Sequence, residues 1–187
     1  VTVSGLLGPL AGQNVTISGA KAKFSTPWQA IGSVRYKPTD KLALNAQVIR
    51  YGWSKFDTID IGAPVNSSIP EDYKDSWSYA GGFDLQVDPQ LTLRAGVQYA
   101  ETPTRNGMRD PRVPDSDRWN FGAGASVKVS DAFSVDAAAN YIKFENAPID
   151  KPTAAYLGTP AQTAIVTNGE LHDANAVVLS LGGRFSF

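Results

Sequence analysis

Seven segments of this chain alternate apolar and polar side chains with period two, and the connections between them alternate short and long without exception. The segments are TPWQAIGSVRYKP, KLALNAQVIRYGW, SWSYAGGFDLQV, LTLRAGVQYA, RWNFGAGASVKV, FSVDAAANYIKF and NAVVLSLGGRFSF. Period two is the signature of a β-strand with unlike faces. Here each apolar face is about nine residues long and is bounded by aromatics: Trp28 to Tyr36, Trp77 to Leu85, Leu91 to Tyr99, Trp119 to Val127, Phe133 to Tyr141. The last segment carries Val177, Leu179, Leu181, Phe185 and Phe187 on one face.

The opposite faces are small or polar, with Asn45 and Gln47, Gly82 and Asp84, Asn120 and Ser126, Asp136 and Asn140. The connections run KPTDK, a long one through GWSKFD to YKDSW, VDPQ, a long one through TRNGMRDPRVPDSDR, VSDA, and a long one through ENAPID to LHDA. A soluble meander has no cause to collect its long loops at one end, whereas bacterial outer-membrane barrels have tight periplasmic turns and extended outer loops. The predicted fold class is therefore all-β: a transmembrane antiparallel β-barrel, with the C-terminus periplasmic and the long loops extracellular. Composition agrees. No run of about 18 apolar residues exists, which removes a helical span but not a barrel whose strands show lipid every second residue. With 17 basic and 18 acidic side chains spread along the chain, nucleic acid is excluded as a partner. No cysteine is present, so no disulfide or thiolate metal site can form.

Before Trp28 the same phase continues back to Thr16, with Ser18, Ala20, Ala22, Phe24 and Thr26 on one face. One unbroken strand from Thr16 to Tyr36 is preferred over a tight turn at STPW, because a turn there would break the long-loop rule. Pro27 would then occupy a bulge or a missing ladder bond. VTVSG at the start reads as the stub of an earlier strand, giving seven to eight strands. An open edge cannot stand in lipid, so further strands are expected beyond this sequence.

The blocks GWSKFD, YKDSW and VPDSDRW, in that order among these strands, carry a family resemblance. The chain resembles the FadL-type (OmpP1/FadL/TodX) long-chain fatty acid and hydrocarbon transporters of Gram-negative outer membranes, over nearly its whole length. The resemblance implies that residues 1–187 are the C-terminal portion of a single 14-stranded barrel domain, with the N-terminal hatch and first strands absent. It further implies passive transport of hydrophobic small molecules with lateral release into the bilayer. It implies no enzyme activity and no cofactor. A basic residue that the family can place before YKDSW has no match at Ile69 or Pro70, which favours an uncharged hydrocarbon over a carboxylate. The partners implied are a hydrophobic ligand or detergent, outer-membrane lipid, and the barrel-insertion machinery acting through the strand that ends at Phe187.

Trp53, Phe56 and Ile59 leave the top of one strand and are the candidate substrate-binding residues; girdle and loop packing is the commoner role of such residues. Trp53 keeps the phase of Asn45 and Gln47, which would turn it inward. Arg35, Asp84, Arg94, Asp136 and Arg184 are the charged residues expected to line the lumen, most simply as ion pairs filling a wet interior. Asp110, Asp115 and Asp117 stand among Arg105, Arg109, Arg112 and Arg118, so ion-pair fixing of a loop is expected there rather than calcium, which needs uncompensated oxygens. His172 has no nucleophile and orienting group recurring with it, so catalysis is not expected. Two other readings of the same pattern are a stand-alone eight-stranded barrel with a structural or adhesion role and a soluble β-sandwich.

Overall fold

In the computed structural model, which describes residues 2–3, 15–16, 19, 21–62, 67–111, 114–155, 163–165 and 168–186, the alternating segments form one antiparallel meander. Its strands are β1 (Trp28–Tyr36), β2 (Leu42–Gly52), β3 (Ser76–Gln86), β4 (Leu91–Ala100), β5 (Arg118–Lys128), β6 (Phe133–Phe144) and β7 (Asn175–Phe185). Each pairs only with its neighbours in sequence, so spatial order equals chain order. The short turns are closed by their own side chains. Thr39 Oγ1 accepts from the backbone N–H of Lys41 and Leu42 at 3.3 and 3.1 Å, and Asp88 Oδ1 accepts from Gln90 and Leu91 at 2.7 and 2.8 Å. These side chains mimic a backbone turn and fix the register of the strands they join.

The register puts like faces together. Leu44 stands opposite Phe83, Tyr79 opposite Tyr99, Val97 opposite Phe121 and Leu179 opposite Ala139, all on the apolar side. That side is uncovered: Leu179 is 76% exposed, Leu181 80% and Val34 62%. Among the described residues the only buried apolar side chains are Ala43, Ala100 and Ala147. A soluble sandwich would press this face against a second sheet; here no second layer covers it, and the face fits a hydrocarbon surrounding instead. Tyr99 packs on Trp119 with ring centroids 4.9 Å apart, Trp77 stacks on Tyr79 at 6.2 Å, and Arg50 lies over the Trp77 ring at 4.9 Å, forming an aromatic row near the long-connection end. Phe133 stacks on Phe185 at 4.5 Å near the other end. Phe187 lies outside the described residues.

The other face is pressed close by curvature. A Cβ on Gly82 would stand 2.7 Å from the Ala95 carbonyl oxygen, so this position accepts nothing larger than glycine without a backbone shift. The two edges, β1 and β7, run in the same direction because six reversals separate the first strand from the seventh. They do not pair with each other among the described residues. Antiparallel closure of such a sheet requires an odd number of additional strands.

The expected single strand from Thr16 to Tyr36 is not formed. Ser18 and Ala20 lie outside the described residues, Val15–Thr16 pairs with Thr2–Val3, and Ala22–Lys23 pairs with Asp60 and Ile61. Thr2–Val3 is thus one arm of a short ladder rather than the stub of a wall strand. The interruption falls between the pairs Trp28 to Gly52 and Lys23 to Asp60, where residues 24–27 face residues 53–59. Two causes combine. Pro27 has no N–H to give to the ladder, and the facing side loses three residues to a 3-10 turn, Trp53–Lys55. Pro27 therefore sits just before the strand and not in a bulge within it.

Gly82→Ala is expected to destabilise the wall by about 1–3 kcal/mol, the usual cost of overpacking. Urea unfolding in lipid vesicles, followed by loss of the compact band of unheated protein on a denaturing gel, measures it.

Candidate functional site

The interruption after Gly52 creates the most concentrated aromatic feature of the molecule. Because β2 ends at Gly52, the strand phase that would turn Trp53 toward Asn45 and Gln47 stops one residue short of it. Trp53 instead opens the 3-10 turn, which Phe56 N–H closes by donating to Trp53 O at 2.8 Å. Its ring stands edge-on to Phe56 at 6.3 Å and to Tyr73 at 5.9 Å; Phe56 stacks on Tyr73 at 5.5 Å, and Phe24 meets Phe56 edge-on at 5.9 Å. Trp53, Phe56 and Tyr73 are half-buried and Phe24 is 55% exposed, so the cluster presents ring surface outward. Ile59 is close in sequence but belongs to the neighbouring ladder of Thr58–Ile61 with Ser67–Pro70, opposite Ile69. Phe24 and Tyr73 were not singled out by the sequence. Tyr73 is the tyrosine of YKDSW, and that block is the signal that could have found it.

The surroundings of the cluster carry charges of both signs, with Lys55 in the turn itself. Burial, and the neighbouring carboxylates Glu71, Asp115 and Asp110, push the Tyr73 phenol above its ordinary pKa. Asp75 is fixed on the other side, accepting from Ser54 N–H at 3.0 Å and from Arg50 Nη2 at 2.9 Å. Ser54 chiefly, with Arg50 adding to it, holds the Asp75 carboxyl below the usual carboxylate range.

The long connections are 53–75, 101–117 and 145–174, and the second and third meet around Arg109, which is 2% exposed. Its guanidinium donates to Asp115 O at 2.7 Å, Asn106 Oδ1 at 3.0 Å and Pro148 O at 2.7 Å. Its own carbonyl accepts from Asp150 and Lys151 N–H, and Asp150 Oδ1 accepts from Gly107 N–H at 2.9 Å. Thr102, Thr104 and Ser116 are buried beside it. Of the arginine and aspartate pairs expected within this loop, Arg118 with Asp115 is formed (2.9 Å), whereas Arg105 reaches out to Asp72 of the first connection (3.7 Å). The partners of Arg109, however, are neutral oxygens, because its burial between two connections brings carbonyls rather than carboxylates within reach. Arg112 lies outside the described residues. His172 Nδ1 lies 3.1 Å from Asn146 Nδ2 on an exposed edge of the third connection.

The polar face of the wall carries the charged residues singled out by the sequence, on β1, β3, β4, β6 and β7 at the short-turn end. Asp84 binds Arg35 at 3.0 Å and Arg94 at 3.2 Å, and accepts from Asn45 Nδ2 at 3.2 Å. Arg94 donates to Ser126 Oγ, which donates to Asp136. Arg184 lies beyond it on β7, opposite Ser134. Nearer the long connections the same face is uncharged, with Asn120 Nδ2 donating to Gln98 Oε1 at 3.1 Å and Gln98 Nε2 to Ser78 Oγ at 2.8 Å. Between the two polar rows lie Gly96, Gly122, Gly124 and Ala138, lining a concavity of about 830 Å³ together with neighbouring residues.

Residues 3–187 match the family described as outer membrane protein transport protein (OMPP1/FadL/TodX). The chain belongs to this family. Outer membrane protein P1 of Haemophilus influenzae is 30% identical over 108 residues, covering 56% of this chain and 23% of that protein. The long-chain fatty acid transport protein of Escherichia coli K12 is 24% identical over 151 residues, covering 79% and 33%. The crystal structure of a Pseudomonas aeruginosa FadL homologue superposes with a TM-score of 0.75 at 31% identity, over 89% of this chain and 37% of that one. The chain thus spans 23% to 37% of the length of these relatives. Members of the FadL family are Gram-negative outer-membrane proteins, and the seven-stranded sheet is part of a barrel of their 14-stranded kind. In such a wall the apolar face meets lipid and the polar face meets the interior.

Two outcomes are expected. Arg109→Met leaves the Asp115 and Pro148 carbonyls without their donor and is expected to cost about 1–3 kcal/mol locally, read as lost hydrogen-exchange protection at 105–109 and 148–151 with the wall unchanged. For Asp75 the folded-state pKa is the lower one, so its contribution is present above the ordinary carboxylate pKa and is lost as pH falls through the depressed value. A carboxyl carbon titration should place Asp75 below the ordinary carboxylate range, and Arg50→Gln together with Ser54→Ala should raise it.

Proposed function

We propose that this protein serves the passive passage of hydrophobic small molecules across the outer membrane, with the aromatic cluster as its capture surface and sideways release into the bilayer. The observation that carries this is the cluster itself: four partly exposed rings, Phe24, Trp53, Phe56 and Tyr73, converge at the long-connection end of a membrane wall. With the C-terminus periplasmic, these connections face the medium, where a hydrophobe is first met. Lateral release is supported by the lumen face. A hydrocarbon moving toward the short turns would leave the small, uncharged band for the row Arg35, Asp84, Arg94 and Asp136, and each methylene moved from apolar to aqueous surroundings forfeits about 0.8 kcal/mol. The bilayer is the cheaper exit.

The Escherichia coli relative is named for long-chain fatty acids. Here Arg50 is engaged by Asp75 and Lys151 by Glu71, and the positions before the YKDSW block are Ile69 and Pro70. With those two residues in place of a basic side chain for a carboxylate, an uncharged hydrocarbon is the proposed cargo. The hatch and the remaining strands would come from outside these residues, and the strand ending at Phe187 would be the one offered to the insertion machinery. A stand-alone eight-stranded barrel is not favoured: Val15–Thr16, the segment it would need against β7, pairs with Thr2–Val3 instead.

The test is binding of naphthalene and of an ionised fatty acid of similar apolar area to the intact protein in nanodiscs. Naphthalene should bind the tighter of the two, and Trp53→Ala with Phe56→Ala should weaken it about tenfold, the equivalent of losing one to two aromatic contacts. Unchanged naphthalene binding in the double variant would remove the cluster from the route.

A further inference from the structure

The three long connections are not held together equally, and the inequality divides them into a fixed part and a movable one. The second and third are joined through a buried guanidinium, with Arg109 donating to Pro148 O at 2.7 Å and Gly107 N–H to Asp150 Oδ1 at 2.9 Å. Those contacts are short and shielded from water, and they form one block. The first connection is rigid within itself. Its 3-10 turn packs against Tyr73, its two arms pair as Thr58–Ile61 with Ser67–Pro70, and Asp57 O accepts from Glu71 and Asp72 N–H at 2.8 and 3.2 Å.

What joins this unit to the block is weaker and ionic. Glu71 faces Lys151 of the third connection at 3.9 Å, and Asp72 faces Arg105 of the second at 3.7 Å, with the latter two side chains 57% and 48% exposed. Arg105 Nε also reaches Asp72 O at 3.0 Å, Lys151 Nζ reaches Pro70 O at 3.5 Å, and one backbone bond, Lys74 N–H to Pro103 O at 2.9 Å, lies at the root of the unit. The exposed pair of Asp72 with Arg105 is worth little and is screened by salt, while Glu71 and Lys151, 18% and 13% exposed, are shielded from it but stand at the far limit of an ion pair. Asp72 has a φ of 48°, a left-handed conformation that costs free energy for a residue with a side chain. The latch thus sits on a strained residue, next to the segment that returns to β3.

We propose that the described part of the first long connection, residues 53–62 and 67–75, is a latched lip: together with residues 21–24, which pair with it and pack on Phe56, it swings as one piece about residues 25–27, Gly52 and Asp75, and the pairs Glu71 with Lys151 and Asp72 with Arg105 are the latch that sets how often the aromatic cluster opens to a hydrophobic ligand. This rests on the reading of the cluster as the capture surface. In the closed state Tyr73 is half-buried against the block; release of the latch lets the cluster move away from it while its own ring contacts persist. Arg109, in contrast, keeps the second and third connections still.

The test separates the motion from the ligand. The sequence has no cysteine, so spin labels at Ser68→Cys on the lip and Glu170→Cys on the block report their separation in the intact protein in nanodiscs by double electron–electron resonance. Glu71→Gln with Asp72→Asn keeps side-chain shape, and asparagine tolerates the left-handed backbone at 72. This variant should broaden and lengthen the distance distribution, and raising salt from low to about 0.5 M should move the wild type toward it, since that shortens the screening length severalfold. Arg105→Met with Lys151→Met breaks the same pairs from the other side and should give the same result. Naphthalene association, followed by stopped flow, should become about three- to tenfold faster, the range expected for two partly exposed ion pairs. A distance distribution unmoved by both double variants and by salt would overturn the latch whatever the ligand does. A distribution that moves while the association rate stays fixed would overturn its role in ligand access; if Trp53→Ala with Phe56→Ala then also left binding unchanged, the capture reading itself would be the part that failed.

Discussion

Every peptide group that enters hydrocarbon must find its hydrogen-bond partner on an adjacent strand, since no water is there to take its place. The rest of this structure is arranged around that requirement. It fixes strands of nine to twelve residues in unbroken ladders, leaves regular pairing free to fail only at the strand ends, and makes side-chain choice on either face a secondary matter of surroundings. The ladder is interrupted between Gly52 and Asp60, and it is there, beyond the aromatic row, that the chain can afford a 3-10 turn and gather rings into a cluster.

The usual place of a protein core is inverted. Among the described residues the sheet buries almost no apolar side chain of its own, and the buried side chains of the long connections are Arg109, Thr102, Thr104, Ser116 and one alanine, Ala147. Where the second and third connections meet, hydrophobic burial therefore does little to order them. Directional hydrogen bonding orders them instead. An arginine offering donors in a fixed fork can tie several carbonyls that have no other partner, which is a service no apolar side chain could perform in the same space.

The wall was legible in the sequence almost residue by residue. Trp119 and Asn120, or Tyr79 and Ala80, announce opposite faces through period two alone, and VDPQ and VSDA announce the tight turns. The row from Arg35 to Asp136 was legible as a set of positions but not as a chain of bonds, since which carboxylate shares which arginine depends on register across strands. The connections were legible least. Trp53 was placed by extending the phase of β2 one residue past Gly52, where the chain leaves the strand for a local turn that a periodicity argument does not see. Tyr73 and Phe24 reach Phe56 only through a fold-back of the chain, and Arg109 looked like one of several loop arginines until burial set it apart. Periodic order is local information; these contacts are not.

The direction of the two edge strands reaches further than the closure of one ring. Since β1 and β7 point the same way, setting one copy of this sheet beside another would bring β7 of the first against β1 of the second in parallel, and a ring of two copies would carry two such parallel seams. Up-and-down ladders built by successive hairpins do not make them. The sheet is therefore poorly suited to self-assembly: whatever completes the cylinder must itself begin and end on strands of the opposite sense, so homodimerisation is not a route to a pore.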